Sequence, residues 1–317
     1  MEYKPDSEQI RAFIDQLCNE SWLGINRRWW PKYVFHFTDI MNAVKILEEK
    51  VLWSRDYLEG TDEMPHENAS PEIIGQTDSE YKKYVRLYFR PLTPTQYRNE
   101  GFRAKRDIER DAHCPFPIYF LFDSKEILTY SNCLFSDGSL ARDGQADIGS
   151  DYNFLENLPF EEIYHNMWLR DEEKREIIFR RHAEILIEES MPIDSLKHIV
   201  CRTRAEKETL LNLLNRQFES ELRNSNNLFF GEWTFIQDVD LFDDSIKMKF
   251  NPDTNSAGPF NIRYDFLNLE TGKDSIIQKD NYFVPKDAIN LTLSRKISNY
   301  EIRIYIDDHI AYYGIHK

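Results

Sequence analysis

Residues 171–190 read DEEKREIIFRRHAEILIEES, and this stretch decides how the centre of the fold is interpreted. Its first half is charged. Its second half carries apolar residues at positions spread almost all the way round a helix, namely Ile177, Ile178, Phe179, Ala183, Ile185, Leu186 and Ile187. A helix that is apolar on most sides is buried between layers. The pattern therefore predicts a buried helix over residues 171–189.

Glu184 lies inside the apolar half of that predicted helix. Burial of a carboxylate without a partner is costly, so a buried Glu has either a partner or a chemical task. The structural alternatives are pairing with Arg181 or His182, or a position that faces solvent. The pattern alone leaves these alternatives open.

Apolar runs and alternating patterns on both sides of this stretch predict strands and helices in mixed order. The predicted strands are a segment that ends at His36, followed by residues 51–53, 84–89, 117–123, 132–137 and 198–202. The predicted helices are residues 7–19, a helix capped by Thr38 or Asp39, a short helix after Asp123, and residues 154–167 and 204–222. Residues 56–80 are acidic and lack periodicity, which predicts a long functional or mobile loop.

The residue pattern changes beyond about residue 228. Strand-like alternation recurs at residues 246–250, 262–266, 289–293 and 300–306, separated by turns of Asn, Gly, Pro and Asp. We therefore predict an α+β protein with two domains. Residues 1–236 form a mixed domain of helices and strands, and residues 237–317 form a small all-β domain.

The amino-acid composition limits which classes of protein this chain can belong to. The 317 residues are 41% apolar and 14% aromatic, which is enough for an ordered core. No apolar run approaches the roughly 18 residues of a membrane span, and the N-terminus lacks signal-peptide features. The four cysteines form no CxxC pair. These features predict a cytoplasmic protein with no membrane contact.

The net charge of −15 argues against a nucleic-acid partner, because phosphate contacts need Lys and Arg. Residues 79–110 reverse the sign locally, with nine basic and four acidic residues, or +5. We call residues 79–110 the basic segment. It is either a solvated surface or a feature that guides an anionic substrate to one place.

Two further positions carry side chains that suit chemistry. His36 stands at a predicted strand end, where ligands bind in mixed sheets, although a lone His is more often structural. Arg90 leaves the strand at 84–89 just before the turn Pro-Leu-Thr-Pro, where it could bind a phosphate or form an ordinary salt bridge. The chain has no P-loop, GxGxxG, GxSxG or HExxH motif, and no dense carboxylate pairs suited to Mg²⁺. The residues alone indicate a mixed, enzyme-like domain with a buried Glu.

Four segments, in order along residues 33–203, resemble the DarT-type nucleic-acid ADP-ribosyltransferases. They are VFHFTDI at 34–40 with Asn42 and Ile46–Leu47, YVRLYFRPLTPTQY at 84–97, LFSDG at 134–138, and RHAEILI at 181–187 followed by Pro192 and Ile199–Val200. The order of the segments makes the resemblance fairly specific. Residues 237–317 lie outside it.

The resemblance implies an ADP-ribosyltransferase-like fold, NAD as the donor of ADP-ribose, and no metal. It implies Glu184 as the catalytic Glu. It also implies that His36 and Thr38 hold a ribose of NAD, with Asn42 nearby. A carboxylate beside that ribose would stabilise the oxocarbenium ion that forms as nicotinamide leaves, and would take a proton from the attacking base.

The family also has an arginine that steadies the pyrophosphate, but this chain has no arginine between Asp56 and Glu80. We therefore predict Arg90 in the catalytic arginine role, with Arg55 and Arg86 as alternatives. Arg55 is also a candidate NAD-binding residue.

The resemblance implies a base in single-stranded DNA as the acceptor, and a toxin or anti-phage role with a macrodomain hydrolase or another antitoxin as partner. Transfer to RNA is the first alternative, because single-stranded RNA presents the same unstacked bases. A binding module that has lost turnover is the second, motivated by the missing loop arginine. The domain at 237–317 is expected to dock a regulatory partner or to extend the nucleic-acid groove.

Overall fold

The structure is a computed structural model that describes residues 2–61, 67, 75, 79–141 and 145–317. The chain forms two compact units, each assembled from several segments. The first unit consists of Met1–Phe37, Lys45–Tyr97 and Tyr119–His198, and the second of Thr38–Val44, Arg98–Ile118 and Ile199–Lys317.

Helices and strands alternate through the first two thirds of the chain. The helices are α1 (Ser7–Leu17), α2 (Gly24–Arg27), α3 (Ile40–Glu49), α4 (Arg55–Thr61), α5 (Pro94–Asn99), α6 (Ser124–Ile127), α7 (Tyr152–Glu156), α8 (Phe160–Ile163), α9 (Lys174–Arg180) and α10 (Arg204–Leu213). The strands before residue 230 are β1 (Tyr33–Asp39), β2 (Val51–Trp53), β3 (Tyr84–Tyr88), β4 (Pro117–Asp123), β5 (Cys133–Ser136), β6 (Ile148–Gly149), β7 (Glu184–Glu188), β8 (Ser190–Pro192), β9 (Leu196–Cys201) and β10 (Leu222–Asn224). Those after it are β11 (Ile236–Leu241), β12 (Ser245–Phe250), β13 (Phe260–Asn268), β14 (Asp274–Tyr282), β15 (Ala288–Thr292), β16 (Tyr300–Ile306) and β17 (His309–His316).

The first unit is centred on a sheet in which β4, β1, β3, β7, β5 and β6 are neighbours in that order. Every residue of β4 except the last is buried, as its continuous apolar run predicts for a central strand. β3 and β7 pair antiparallel, and Tyr88 lies opposite Glu184. Phe35 of β1 lies opposite the same Tyr88. β1, β3 and β7 therefore run side by side through the centre of this unit.

The predicted helix over residues 171–189 is wrong in its second half. α9 ends at Arg180, and Glu184 begins the strand β7. The run Ile185–Ile187 is fully buried. A short continuous apolar run fits a strand buried on both faces as well as a buried helix, and β-branched isoleucines favour the strand. The burial of Glu184 was predicted correctly, but its secondary structure was not.

Two other predicted helices are shorter in the structure. The helix expected over residues 154–167 is two short helices, α7 and α8, and Pro159 occupies the cap position before α8. Proline has no N–H for an intrahelical hydrogen bond, so it separates the two. The helix expected over residues 204–222 ends at Leu213, and Asn215 and Arg216 then adopt positive φ. His36, predicted at a strand end, lies within β1.

The second unit contains an antiparallel sheet of order β11-β12-β15 and another of order β14-β13-β16-β17. Residues 237–317 are all described, and every helix or strand within them is a strand. The mixed fold class with all-β C-terminal sheets is thus confirmed. β11, β14 and β17 were not predicted, and β14 has no buried residue, so it shows little hydrophobic alternation.

The domain boundary predicted at residue 236 stays a prediction. The second unit contains residues 237–317 together with segments from earlier in the chain. Of the loop predicted over residues 56–80, the first residues belong to α4, and residues 62–66, 68–74 and 76–78 lie outside the described residues.

Candidate active site

The carboxylate of Glu184 forms a two-point ion pair with the guanidinium of Arg86. Glu184 begins β7 and Arg86 is the central residue of β3, and antiparallel pairing of these strands brings the two side chains together. The Arg86 Nη2 donates to Glu184 Oε1 over 2.6 Å, and the Arg86 Nε donates to Oε2. The side chain of Glu184 is 2% exposed and that of Arg86 is 30% exposed. One partner is buried, and the other reaches solvent.

Burial and pairing act in opposite directions on the pair. Burial raises the pKa of Glu184, and the charge and hydrogen bonds of Arg86 lower it, with an upward net direction. Burial lowers the pKa of Arg86 and the carboxylate of Glu184 raises it, also with an upward net direction. A buried carboxylate with increased proton affinity and a counter-charge beside it suits a group that accepts a proton during catalysis.

Arg181 and His182, the neighbours considered as partners of Glu184, face other groups. Arg181 Nη2 donates to the main-chain oxygen of Met167 over 3.0 Å. The His182 Nδ1 lies 2.8 Å from the main-chain oxygen of Ile178. The partner of the carboxylate comes from a different strand of the sheet.

His36 contacts the same part of β3 through the main chain. Its Nδ1 lies 3.2 Å from the carbonyl oxygen of Arg86, and its ring stacks on Phe120 with a centroid distance of 6.2 Å. Burial lowers the pKa of His36 to about 4, so the imidazole is neutral at pH 7. A carbonyl oxygen only accepts hydrogen bonds, so Nδ1 carries the proton, and Nε2 keeps a lone pair that can accept one.

Tyr88 is the residue opposite Glu184 in the strand pair. Burial and the nearby carboxylate of Glu184 raise the pKa of Tyr88 to about 12. Its hydroxyl therefore stays protonated at neutral pH and can act as a hydrogen-bond donor. Sequence analysis assigned Tyr88 no role, although the alternation of Tyr84, Arg86 and Tyr88 in β3 marks one half-buried face.

The other predicted NAD-binding residues have different surroundings. Thr38 is buried, and its Oγ1 accepts a hydrogen bond of 3.2 Å from Asn42 Nδ2. Arg55 pairs with Glu67, and its Nη1 also lies 3.6 Å from Glu59. Among the described residues, no hydrogen bond or ion pair joins Arg55 to Glu184 or His36.

Arg90 is enclosed by main-chain oxygens. Its side chain is 1% exposed. Its guanidinium donates to the carbonyl oxygens of Pro91 (2.9 Å), Ile163 (3.1 Å) and His165, and to Asn166 Oδ1 (3.1 Å). These bonds occupy four of its five N–H groups and the side chain is shielded from solvent, which favours a structural role, and the pyrophosphate-binding role of Arg90 stays a prediction.

The basic segment is divided between the two units. Its residues 79–97 belong to the first unit and 98–110 to the second. Arg90 and Arg103 are buried, and Arg86 is paired with Glu184. Arg106 remains 69% exposed. The sequence count of +5 therefore overstates the charge that this segment presents to solvent.

Comparisons with known proteins identify the family and the fold of the chain. A family model described as ssDNA thymidine ADP-ribosyltransferase, DarT, matches residues 35–230. The structure of Thermus sp. 2.9 DarT in complex with ADP-ribosylated ssDNA has a TM-score of 0.52 and 17% identity, over 63% of this chain and 97% of that chain. The same protein in complex with NAD+ has a TM-score of 0.49 and 18% identity, over 63% of this chain and 98% of that chain. A search of curated proteins finds no match.

The fold is therefore that of an ADP-ribosyltransferase, as the resemblance implied. The chain belongs to the DarT family, whose members are NAD-dependent ADP-ribosyltransferases that modify single-stranded DNA. The family model ends at residue 230, so the strands after it lie outside the matched region.

Within the described residues, no helix is both long and apolar enough to span a membrane. Those residues also contain no cluster of three His, Cys, Asp or Glu side chains that could hold a metal ion. The expectation that catalysis needs no metal stays a prediction.

Proposed function

We propose that this chain transfers ADP-ribose from NAD to a thymidine base of single-stranded DNA, with Glu184 as the catalytic carboxylate and Arg86 as its arginine partner. The observation that carries the proposal is the two-point pair between a buried Glu184 and a solvent-accessible Arg86 on the neighbouring strand. The description of the family model supports thymidine as the acceptor.

The chemistry fits a carboxylate of this kind. The bond between the ribose C1′ and nicotinamide breaks, and its electron pair leaves with nicotinamide. The positive charge that builds on the ribose is stabilised by the negative charge of Glu184. A nitrogen of the base then bonds to C1′, and the proton of that nitrogen passes to the carboxylate. The raised pKa of Glu184 favours this last transfer.

Arg86 replaces Arg90 in the arginine role. Two of its nitrogens, Nε and Nη2, are bound to Glu184. Among the described residues its Nη1 donates to no group, and the side chain is 30% exposed. That edge of the guanidinium can donate to a pyrophosphate oxygen while the other edge keeps Glu184 ionised.

His36 supplies a hydrogen-bond acceptor for a ribose of NAD. Its Nε2 lone pair can accept from a ribose hydroxyl because the proton sits on Nδ1. The contact of Nδ1 with the main chain of Arg86 fixes the ring beside the strand that carries the arginine. Thr38, Asn42 and Arg55 stay as candidate NAD-binding residues.

The acceptor strand has a candidate contact in the loop after α8. Trp168 is 88% exposed and Met167 is 70% exposed. The carbonyl oxygens of Ile163 and His165, just before them, are held by Arg90. An exposed aromatic on an anchored loop is suited to stack on an unpaired base, since stacking contributes about 1–3 kcal/mol per base.

The biological setting is a further part of the proposal. We propose a toxin with an antitoxin partner, as the resemblance of the four sequence segments to the family implies. A macrodomain hydrolase as the partner, an anti-phage role and a cytoplasmic location are further parts of this proposal, and transfer to RNA is its alternative.

The test is incubation of the purified chain with labelled NAD and, separately, thymidine-containing single-stranded DNA, the same DNA without thymidine, and single-stranded RNA. We expect label only on the thymidine-containing DNA. Label on RNA alone would show that RNA and not DNA is the acceptor, and label on no polymer would overturn the transferase proposal.

A Trp168→Ala variant should raise KM for DNA and leave KM for NAD unchanged, whereas unchanged KM for DNA would remove Trp168 from the site.

A further inference from the structure

The hydrogen-bond ladder between β5 and β7 stops at Ile185, the residue that follows Glu184 in the chain, and does not include Glu184 itself. Its last pair is Phe135 opposite Ile185. At the next position the main-chain N–H of Glu184 donates to a side chain, the Oγ of Ser136, over 2.9 Å. Ser136 is fully buried. A serine hydroxyl, and not a carbonyl oxygen of β5, thus accepts the hydrogen bond from the main-chain N–H of Glu184.

The Ser136 hydroxyl is itself fixed. It donates over 2.9 Å to the carbonyl oxygen of Gly138, which is closer than the alternative acceptor, the carbonyl oxygen of Glu184, at 3.5 Å. A hydroxyl has one proton to donate, so this bond directs a lone pair toward the N–H of Glu184. The turn that follows β5 therefore sets the orientation of Ser136.

Asp137, the second residue of this turn, holds the end of α9. Its carboxylate pairs with Arg180, and Arg180 Nη1 also donates over 3.2 Å to the carbonyl oxygen of Asp137. The side chain of Asp137 is 14% exposed and that of Arg180 is 23% exposed. Arg180 is the last residue of α9, four positions before Glu184.

Gly138, the third residue, packs against the same helix. A Cβ at Gly138 would overlap the ring of Phe179, which is buried. Only a glycine allows the main chain to approach the ring this closely without a shift. The turn therefore contacts the chain on both sides of the short connection between α9 and β7.

We infer that the turn Ser136–Asp137–Gly138 is a positioning device that fixes the carboxylate of Glu184. Its three residues hold Phe179 and Arg180 at one end of the connection and the main chain of Glu184 at the other. This inference rests on the proposed catalytic role of Glu184. Ser136 touches no reacting atom, so it acts only through the placement of Glu184.

The expected effect is on turnover and not on NAD binding. A displacement of about 1 Å at a reacting group can reduce a rate by roughly 100-fold, even when the changed residue lies away from the chemistry. Loss of the Ser136 Oγ leaves the buried N–H of Glu184 without its acceptor, so the start of β7 must shift or recruit water.

The first experiment compares Ser136→Ala with wild type, measuring kcat, KM for NAD and melting temperature. Ser124→Ala is the matched control, because Ser124 is equally buried, lies in the same unit and donates over 2.6 Å to the carbonyl oxygen of Pro31. We expect Ser136→Ala to lose roughly 10- to 100-fold in kcat with unchanged KM for NAD. Ser124→Ala should lower the melting temperature with kcat unchanged, and Ser136→Thr, which keeps the Oγ, should recover activity.

The second experiment tests the glycine. Gly138→Ala should reduce kcat, and the double variant Gly138→Ala with Phe179→Leu should recover part of it, because the smaller side chain makes room for the methyl group. Additive losses in the double variant would contradict the packing role of Gly138.

These outcomes separate the inference from the proposed function. If wild type transfers ADP-ribose and Glu184→Gln does not, but Ser136→Ala keeps the wild-type kcat, the turn is not a positioning device. Equal kcat losses in Ser136→Ala and Ser124→Ala would also overturn it, since both would then report lost stability. If wild type itself labels no polymer, the proposed function fails first.

Discussion

At the scale of single residues, the central feature is the ion pair of Glu184 and Arg86, in which each side chain supplies the counter-charge of the other. The buried carboxylate requires a counter-charge, and the guanidinium is held in one orientation by two hydrogen bonds. The pair leaves part of Arg86 exposed, so the same residue can meet an anionic substrate. Replacing either partner changes the geometry of the site, and a neutral replacement also changes its charge.

Arg86→Lys should reduce kcat by about 100-fold, because the compact ammonium of lysine cannot form the planar two-point pair. Arg204→Lys is the control, since Arg204 forms ion pairs with Asp238 and Asp240 at the surface of the other unit. The measurement is steady-state transfer to DNA with both variants. An Arg86→Lys variant with wild-type kcat would show that the two-point geometry is dispensable.

His36 makes stability depend on pH. Its pKa is about 4 in the folded chain and about 6.5 when unfolded, so the unfolded state binds more protons between these values. The contribution of the neutral imidazole is complete above pH 6.5 and is lost as pH falls toward 4, by about 2–3 kcal/mol. Urea unfolding at pH 7 and pH 4.5 should show this loss in wild type but not in His36→Gln. Equal losses in both proteins would contradict it.

At the scale of elements, residues 177–187 around Glu184 show what the sequence could and could not predict. The pattern of residues 177–187 identified a buried segment and a buried Glu. It could not distinguish helix from strand, because a short apolar run satisfies both when the segment is covered on both faces. β4 was predicted with its observed bounds, since six apolar or strand-forming residues followed by Asp123 and Ser124 give a clear strand and helix cap.

Local sequence patterns pointed to some of the candidate site residues and not to others. The resemblance pointed to Glu184 and His36 from their segments, and the structure connects both to Arg86. The choice of Arg90 over Arg86 followed from its place before a proline turn. Only the packing of α8 and the following residues, whose carbonyl oxygens surround the guanidinium, reveals that Arg90 is enclosed. Such long-range contacts leave no local pattern in the sequence.

Arg90→Lys should destabilise the chain by about 3 kcal/mol, because a lysine cannot satisfy the carbonyl oxygens of Ile163 and His165 together with Asn166. KM for NAD in the folded protein should stay at the wild-type value. Urea unfolding and NAD titration check both statements. A stable variant with a strongly raised KM for NAD would return Arg90 to the pyrophosphate role.

On the scale of the whole molecule, the second unit has a core that joins distant parts of the chain. Phe102, Ala104 and Ala205 pack in one cluster with residues of the C-terminal strands, including Ile262 and Tyr264. Residues on either side of position 236 therefore share apolar contacts. The C-terminal strands lie outside the family match, yet they cover apolar side chains from within it.

A fragment of residues 1–236 should therefore melt at a lower temperature than the full chain and should aggregate, since the cut removes the partners of Phe102, Ala104 and Ala205 and exposes these apolar side chains. Circular dichroism and size-exclusion chromatography measure this. A monomeric fragment with the melting temperature and transferase activity of the full chain would instead support the boundary predicted at residue 236.

The central claim is that Glu184 carries the transfer. The most direct measurement is mass spectrometry of thymidine-containing single-stranded DNA after incubation with NAD and either wild type or Glu184→Gln, in parallel with NAD binding by each protein. We expect wild type to add one ADP-ribose to thymidine, and Glu184→Gln to bind NAD but lose roughly 10²–10⁴-fold in rate. A Glu184→Gln variant that modifies the DNA at the wild-type rate would contradict the account.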